Sequence, residues 1–498
     1  MPDSYSSRGK SMRNRILLAA LCAGTLAGCS DKPLQLTNPN SATILGANAD
    51  PNALQLTATG LLSDFRANRT GYMSQVGRLG RESYIFTPQE GRNTTNYLIG
   101  ITVGSKQELD PAGFITAIWN YTALRNIYNF KSSINANGTL SVQQKSAALG
   151  YAKAFEAYHL LNIISMTDTL GLVTQILADP TQLAPFVSRD SAYKYIIASF
   201  DSALTALAAG GTAFPFTLHS GFKNFDTPAT FAKFVSALEA RAAAYYATGG
   251  GGAATGGGGA AYWTKAQTAL AASFLNMAGD MNVGVYNVYS SSTGDVLNGI
   301  DPVTNTTLYA HMSYLTDAQN KADGTTDNRV LSKIFSGLES RQGPVTASGP
   351  TSASSTIGFK IYPTSATPVP VIRNEELILL NAEVKLALGD AAGAIAALNI
   401  TRQVSGGLAP STLTPASGSS AILDQILYEK RYSLMFEGFR WVDMRRYGRL
   451  SQLPLDVPSG LNKNFVAIVA PIVQTECLVR AKTSGAFLGP NGQNNCAP

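Results

Sequence analysis

The stretch Asp424-Gln-Ile-Leu-Tyr-Glu429-Lys-Arg431-Tyr-Ser-Leu-Met-Phe-Glu437-Gly-Phe-Arg440-Trp441-Val-Asp443-Met-Arg445-Arg446-Tyr447-Gly448 decides how this chain is read. Residues 421–449 hold ten charged side chains, about one in three, in a chain whose charged fraction is 14%. They alternate with Ile426, Leu427, Leu434, Met435, Phe436, Phe439 and Trp441, so the charges must be accommodated beside a core. Two chemistries suit that pattern. One is the acid/base carboxylate pair of a surface glycosidase, Glu429 with Glu437. The other is a helix pair cemented by carboxylate–guanidinium bridges, with Glu437, Arg440 and Asp443 spaced three apart on one face. Neighbouring arginines keep carboxylates ionised, which suits a bridge and not a general acid. The stretch therefore reads as structural.

Working outward, apolar residues recur at helical spacing over about 112–133, 141–165, 189–209, 229–248, 260–278, 371–388, 390–404 and 420–438, the last continuing towards 447. A first helix is expected around Pro51–Phe65, and Pro111 reads as the start signal of the 112–133 helix. Residues 66–110 show no clear period and read as a long surface excursion. Residues 280–370 are rich in Ser, Thr, Gly, Asn and Pro, with short extended candidates at Gly284–Tyr289, Thr306–Met312 and Ile357–Ile361. The glycine-rich run 249–259 lacks a terminal Gly-Lys-Ser/Thr and reads as a connector, not a phosphate loop.

The N-terminus is an address. Arg8, Lys10, Arg13 and Arg15 precede an apolar run from Ile16 that ends Leu26-Ala27-Gly28-Cys29. A charged segment and a run too short to span a bilayer make a signal peptide over 1–28. The ending resembles a lipobox, which makes Cys29 the lipidated first residue of a mature chain anchored by lipid. Those first 28 residues carry half of the formal charge of +6, so the body is close to neutral and gives no reason to expect nucleic acid. Of the four cysteines, Cys477 and Cys496 remain in an oxidising compartment as a candidate disulfide. The three histidines, His159, His219 and His311, are scattered and form no metal-binding pattern. His159 sits in an apolar helix and reads as a packed residue, and no metal or cofactor is expected.

Taken with the lipobox, the 424–448 stretch resembles the signature of the SusD/RagB-like outer-membrane nutrient-binding lipoproteins. The matching positions are Glu429, Arg431, Glu437, Gly438, Arg440, Trp441, Asp443, Arg445 and Arg446. Arg373-Asn374-Glu375-Glu376 followed by Glu383 resembles the family's Arg, Glu and Ala-Glu helix, and Leu398-Asn399 to Arg402 resembles its Leu-Asn-x-x-Arg. Ala237 to Arg241, Tyr262-Trp263 and Ala470-Pro471-Ile472 with Glu476 fall in the expected order. Lys430, inserted between Glu429 and Arg431, and Val473 depart from the pattern.

The resemblance implies an all-α dominated fold of tetratricopeptide-like helix pairs with an irregular, loop-rich subdomain. A tether over 29–50 would lead into a helical region with surface loops over 51–280. An irregular ligand-binding subdomain would follow over 281–370, and a C-terminal helical region and tail over 371–498. It implies no catalysis. The expected role is capture of a glycan, or alternatively a peptide, on the outer membrane for a SusC-like TonB-dependent transporter. A structural adaptor without a small ligand and a surface glycosidase are the competing readings. By composition the expected ligand contacts are Tyr72, Arg78, Arg81, Tyr84, Arg92 and Tyr97 in one loop, and Tyr286, Tyr289, Tyr309 and Tyr314 in another. Trp119, Trp263 and Trp441 are expected in the core.

Overall fold

The computed structural model describes residues 44–484 except 88, 114, 116–119, 251–256, 294, 303, 304, 344, 347, 348, 351 and 352. The signal segment, Cys29, Trp119, most of the glycine-rich run and Cys496 lie outside the described residues.

Helix α1 (Pro51–Ala67) starts where Asp50 accepts the Asn52 N–H and proline occupies the first turn. After it come α2 (Arg69–Leu79), β1 (Ser83–Ile85), α3 (Arg92–Leu98), β2 (Ile101–Val103) and β3 (Lys106–Glu108). A row of longer helices follows: α4 (Tyr121–Ala136), α5 (Val142–Thr167), α6 (Arg189–Ala208), α7 (Pro228–Thr248) and α8 (Gly259–Ala272). Their starts are written in the sequence. Ser141 and Gln144 form a reciprocal capping box on α5, Ser188 caps α6, and Thr227 with Pro228 opens α7. Each helix of the row packs on the next, and α5, the second, is buried over almost all of Ala147–Thr167.

The chain then leaves the row. The excursion contains β4 (Gly284–Asn287), β5 (Leu308–Ala310), α9 (Ser313–Thr316), α10 (Asn328–Lys333) and β6 (Ile334–Gln342). It continues through β7 (Val345–Thr346), β8 (Gly349–Pro350), β9 (Ser354–Phe359) and β10 (Val369–Arg373). Every sheet among the described residues is a two-stranded antiparallel pair: β1–β5, β2–β3, β4–β10, β6–β9 and β7–β8. The row then resumes, because α11 (Asn374–Ala387) packs on α7 and α8, and α12 (Ala391–Val404) and α13 (Ser419–Ser433) pack on α11. Last come α14 (Arg440–Arg446) and α15 (Gln474–Ser484). The molecule is thus a stack of paired helices with an irregular small-sheet layer inserted between α8 and α11.

Four local expectations are corrected. Residues 66–110 are no surface excursion, since α2 lies there with Arg69 and every residue from Tyr72 to Leu79 buried. Helix α4 begins at Tyr121, where the Asn120 side chain accepts the Ala123 N–H, and Pro111 does not start it. Residues 369–373 pair with β4 before α11 begins. Finally, α13 stops at Ser433 because Phe436 and Gly438 adopt φ of +56° and +85°, which no helix continues through. Trp263 and Trp441 do sit in the core.

One cluster ties three consecutive helices together. Lys265 of α8 lies 2.6 Å from Asp201 of α6 and 2.7 Å from the buried Glu239 of α7. Burial raises the Glu239 carboxyl to about 7, with Lys265 opposing the shift and Asp201 adding to it. A carboxyl raised on folding binds more protons in the native state, so its stabilisation is complete below the ordinary pKa and is lost as pH rises through 7. Urea unfolding at intervals from pH 5 to pH 8 should show stability falling with pH, and Glu239→Gln should flatten that slope. Equal slopes in the two proteins would show that this cluster does not titrate.

Candidate functional site

The residues of the 424–448 stretch are built into a lattice of buried ion pairs. Glu429 lies 2.6 Å from Arg329 and 2.9 Å from Arg402, and Arg329 is also held by Asp327 at 2.6 Å. Glu437 pairs with Arg373 at 2.7 Å, and Arg373 also meets Glu375. Glu383 joins Lys430 at 2.6 Å and Arg446, while Asp443 joins the same two cations at 2.7 and 2.8 Å. Arg241 and Glu376 form a two-pronged bridge, both contacts 2.7 Å. Arg431 donates to Asp317 and Ser313, and Asn399 accepts the Ser411 N–H. Arg445 donates to the Ser165 carbonyl and stacks 4.6 Å over the Trp441 ring.

The expected three-apart bridges do not form. Glu437 lies within the break that follows α13, between Phe436 and Gly438, and it faces Arg373 and not Arg440. Arg440 donates to the Gly80 carbonyl, and Asp443 turns to Lys430 and Arg446. Gly438 is required both by its φ and by space, since a Cβ there would lie 2.9 Å from the Tyr72 ring. Lys430, read as an interruption of the motif, is a buried member of the lattice. What marks it in the sequence is only its place on the apolar side of an amphipathic helix.

Two carboxylates of the lattice, Glu375 and Glu383, are held ionised and are poor acids for catalysis. Although burial opposes ionisation, Arg373 and Lys333 hold Glu375 down to about 2. Burial likewise opposes ionisation of Glu383, and Arg446 and Lys430 overcome it, so that carboxyl also lies below its ordinary range. Glu429 and Glu437 are both buried and each is bridged to arginine. His159 is buried, with Nδ1 3.3 Å from the Asn120 amide, and burial lowers it to about 3. Asp323 and Asp327 bond within their own turns, Asp327 also holds Arg329, and Asp317 holds Arg431. Among the described residues no group of three or more His, Cys, Asp or Glu side chains is arranged to hold a metal.

The two composition-selected regions meet through the β1–β5 pair. Tyr84 lies opposite Tyr309, and residues two apart on a strand share a face, so Tyr84, Phe86, Tyr309 and His311 line one side. Tyr84 stacks on Phe86 at 5.0 Å, Phe86 meets Tyr309 at 5.4 Å, and Tyr84 meets His311 at 5.2 Å. Both oxygens of Asp456 accept from the Tyr84 hydroxyl at 2.9 Å, and His311 Nε2 lies 3.4 Å away. Against the cost of burial, His311, Tyr84 and Arg81 hold the Asp456 carboxyl below its ordinary value. Leu98, Leu338, Ile99 and Ala353 pack on this cluster, so the four rings are covered. The half-buried Arg341 lies 5.8 Å over the Tyr309 ring, and in the chain that follows Phe86 the side chains of Gln89 and Arg92 are exposed and those of Glu90 and Asn93 half-buried.

The expected contact residues therefore divide. Tyr72, Arg78, Arg81, Tyr84, Tyr97, Tyr289, Tyr309 and Tyr314 are buried. Arg78 stacks 3.7 Å over Tyr97, Arg81 donates to three backbone carbonyls, and Tyr314 donates to Glu82 at 2.6 Å. Arg92 is exposed in an ion pair with Glu90, and the half-buried Tyr286 donates to the Asn282 carbonyl. Tyr286 belongs to the β4–β10 pair and is not brought to the aromatic face. Cys477 is disulfide-bonded and packs beside Ile472.

Comparison with known proteins follows this geometry. Residues 256–494 match the family model described as SusD family. A solved SusD-like protein from Bacteroides fragilis NCTC 9343 is 15% identical, with a TM-score of 0.60 over 86% of this chain and 95% of its own. A SusD-like carbohydrate binding protein from the same organism is 15% identical, with a TM-score of 0.59 over 86% and 98%. A third structure, solved with xylogluco-oligosaccharide, is 14% identical, with a TM-score of 0.53 over 80% and 83%. No curated protein matches the chain.

Proposed function

We propose, for a chain whose residues 256–494 belong to the SusD family and whose helix stack has the SusD fold, that it captures an oligosaccharide by binding and performs no catalysis on it. The homology supports nutrient capture at the level of the family, and the neighbours described as carbohydrate binding and as solved with an oligosaccharide favour a glycan over a peptide. The observation that carries the reading is the lattice. Glu429 and Glu437, the one carboxylate pair with glycosidase promise, are buried against arginines and help hold the fold. The ligand surface in this reading is the polar surface near the β1–β5 pair, where Arg341, Arg92, Asn93 and Gln89 offer hydrogen bonds to hydroxyl groups. Cys29 carries the lipid on the outer membrane, Cys477 pairs with Cys496, and a SusC-like TonB-dependent transporter receives the ligand.

Calorimetric titration of the full chain with oligosaccharide and peptide panels tests this. At least one glycan should bind saturably, and the paired change Arg341→Ala with Asn93→Ala should weaken it about tenfold. Absent glycan binding across the panel would favour the adaptor reading, and peptide binding alone would reassign the ligand class.

A further inference from the structure

We propose that the crevice where the α1–α2 junction faces α5 is a second pocket, built to take one hydroxyl-bearing arm of a sugar such as its hydroxymethyl group. The proposal rests on the glycan-capture reading for its choice of ligand class. Its geometry is separate, since none of its residues belongs to the β1–β5 face.

The crevice holds a space of about 20 Å3, enough for one group of water or hydroxyl size. Two of its lining side chains have unmet hydrogen-bonding atoms. Tyr158 is 1% exposed and His159 4%, and neither the Tyr158 hydroxyl nor His159 Nε2 has a partner among the described residues. Buried polar atoms are rarely left so, and the adjoining space is where a partner can enter. The half-buried Asn68 and Asn162 line the same space and bring neutral amides to its mouth. Phe65 supplies an apolar wall, its ring 4.5 Å from that of Tyr158 and 6.3 Å from that of His159.

The protonation pattern follows from the neighbours. Asn120 Oδ1 accepts the Ala123 N–H, so the amide nitrogen faces His159 Nδ1 at 3.3 Å and donates to it. The ring is neutral, so its one proton sits on Nε2 and the pocket presents an N–H donor beside a phenol. Arg69, the one charged lining residue, has its guanidinium held by the Pro370 and Glu437 carbonyls. No free charge therefore recruits an ion. A hydroxyl group accepts from His159 Nε2 and donates to the Tyr158 oxygen, which gives both orphaned atoms a partner.

The chain has only three histidines, so ring nitrogen NMR of the labelled full chain reads the site directly. The His159 signal is assigned by its loss in His159→Gln. D-glucose should move that signal saturably, and D-xylose, which lacks the hydroxymethyl arm, should do so about fivefold more weakly. Asn162→Ala should weaken the D-glucose response to a similar degree with an unchanged unfolding midpoint. No saturable movement, equal responses to the two sugars, or a crevice holding only ordered water overturns the proposal. If oligosaccharides bind by calorimetry while His159 stays still, this proposal fails alone. If His159 responds to D-glucose while no oligosaccharide binds, the capture reading fails and the pocket stands.

Discussion

Glu376→Ala should destabilise the protein by about 3–5 kcal/mol, the range for breaking a buried ion pair by removing one member. The Arg241 side chain is 4% exposed and lies across the Phe439 ring at 5.2 Å, so the loss of Glu376 leaves its charge with the Val371 carbonyl alone among described partners. The bridge joins α7 to α11 across the excursion, so its loss should loosen the two parts of the helix row together. Removing both charges tests the cause. Arg241→Met with Glu376→Leu should recover most of the loss, since an apolar pair of similar volume needs no desolvation of charge. Denaturant midpoints of the two single variants and the double variant check this. A double variant as unstable as Glu376→Ala would mean that shape, not charge, sets the cost.

Trp441→Ala should cost a similar amount, about 3–5 kcal/mol, by leaving a cavity in the core. The ring is fully buried and Nε1 donates to the Ala467 carbonyl at 2.7 Å. Its face supports Arg445, which reaches the Ser165 carbonyl at 2.5 Å and lies 3.5 Å from Asp168. The substitution therefore also frees the 465–472 segment, which rests on α5 through the Ala470 N–H bond to Met166. Trp441→Phe keeps most of the volume and loses the indole bond, so it should cost about 1–2 kcal/mol. Thermal unfolding of both variants should rank them in that order. Equal losses would assign the whole effect to the hydrogen bond.

The helices were legible because their signals are local. Apolar spacing and caps such as Ser141, Ser188 and Thr227 act within a few residues, and they place α5, α6 and α7 to within two residues at each end. The loop reading of 66–110 misled for the same reason. Arg69, Arg78 and Arg81 in a stretch without clear period look solvated, yet each guanidinium meets backbone carbonyls, and several of those lie more than 300 residues away. Tyrosine gives no better guide, since its ring suits a core as well as a sugar face. Sequence regions at 84–86 and 309–311 carried the right residue types for the aromatic face, but their meeting depends on strand register.

By itself, the sequence determined a helical chain, a motif whose charges are structural, and a family likeness, because periodicity, capping and clustered charge are properties of neighbouring residues. Only the tertiary structure decided which charge meets which. Arg241 finds Glu376 across 135 positions, and Lys430 completes a lattice instead of interrupting a motif. A charge entering a low-dielectric interior must be matched wherever the packed helices bring its opposite, and no local spacing encodes that place.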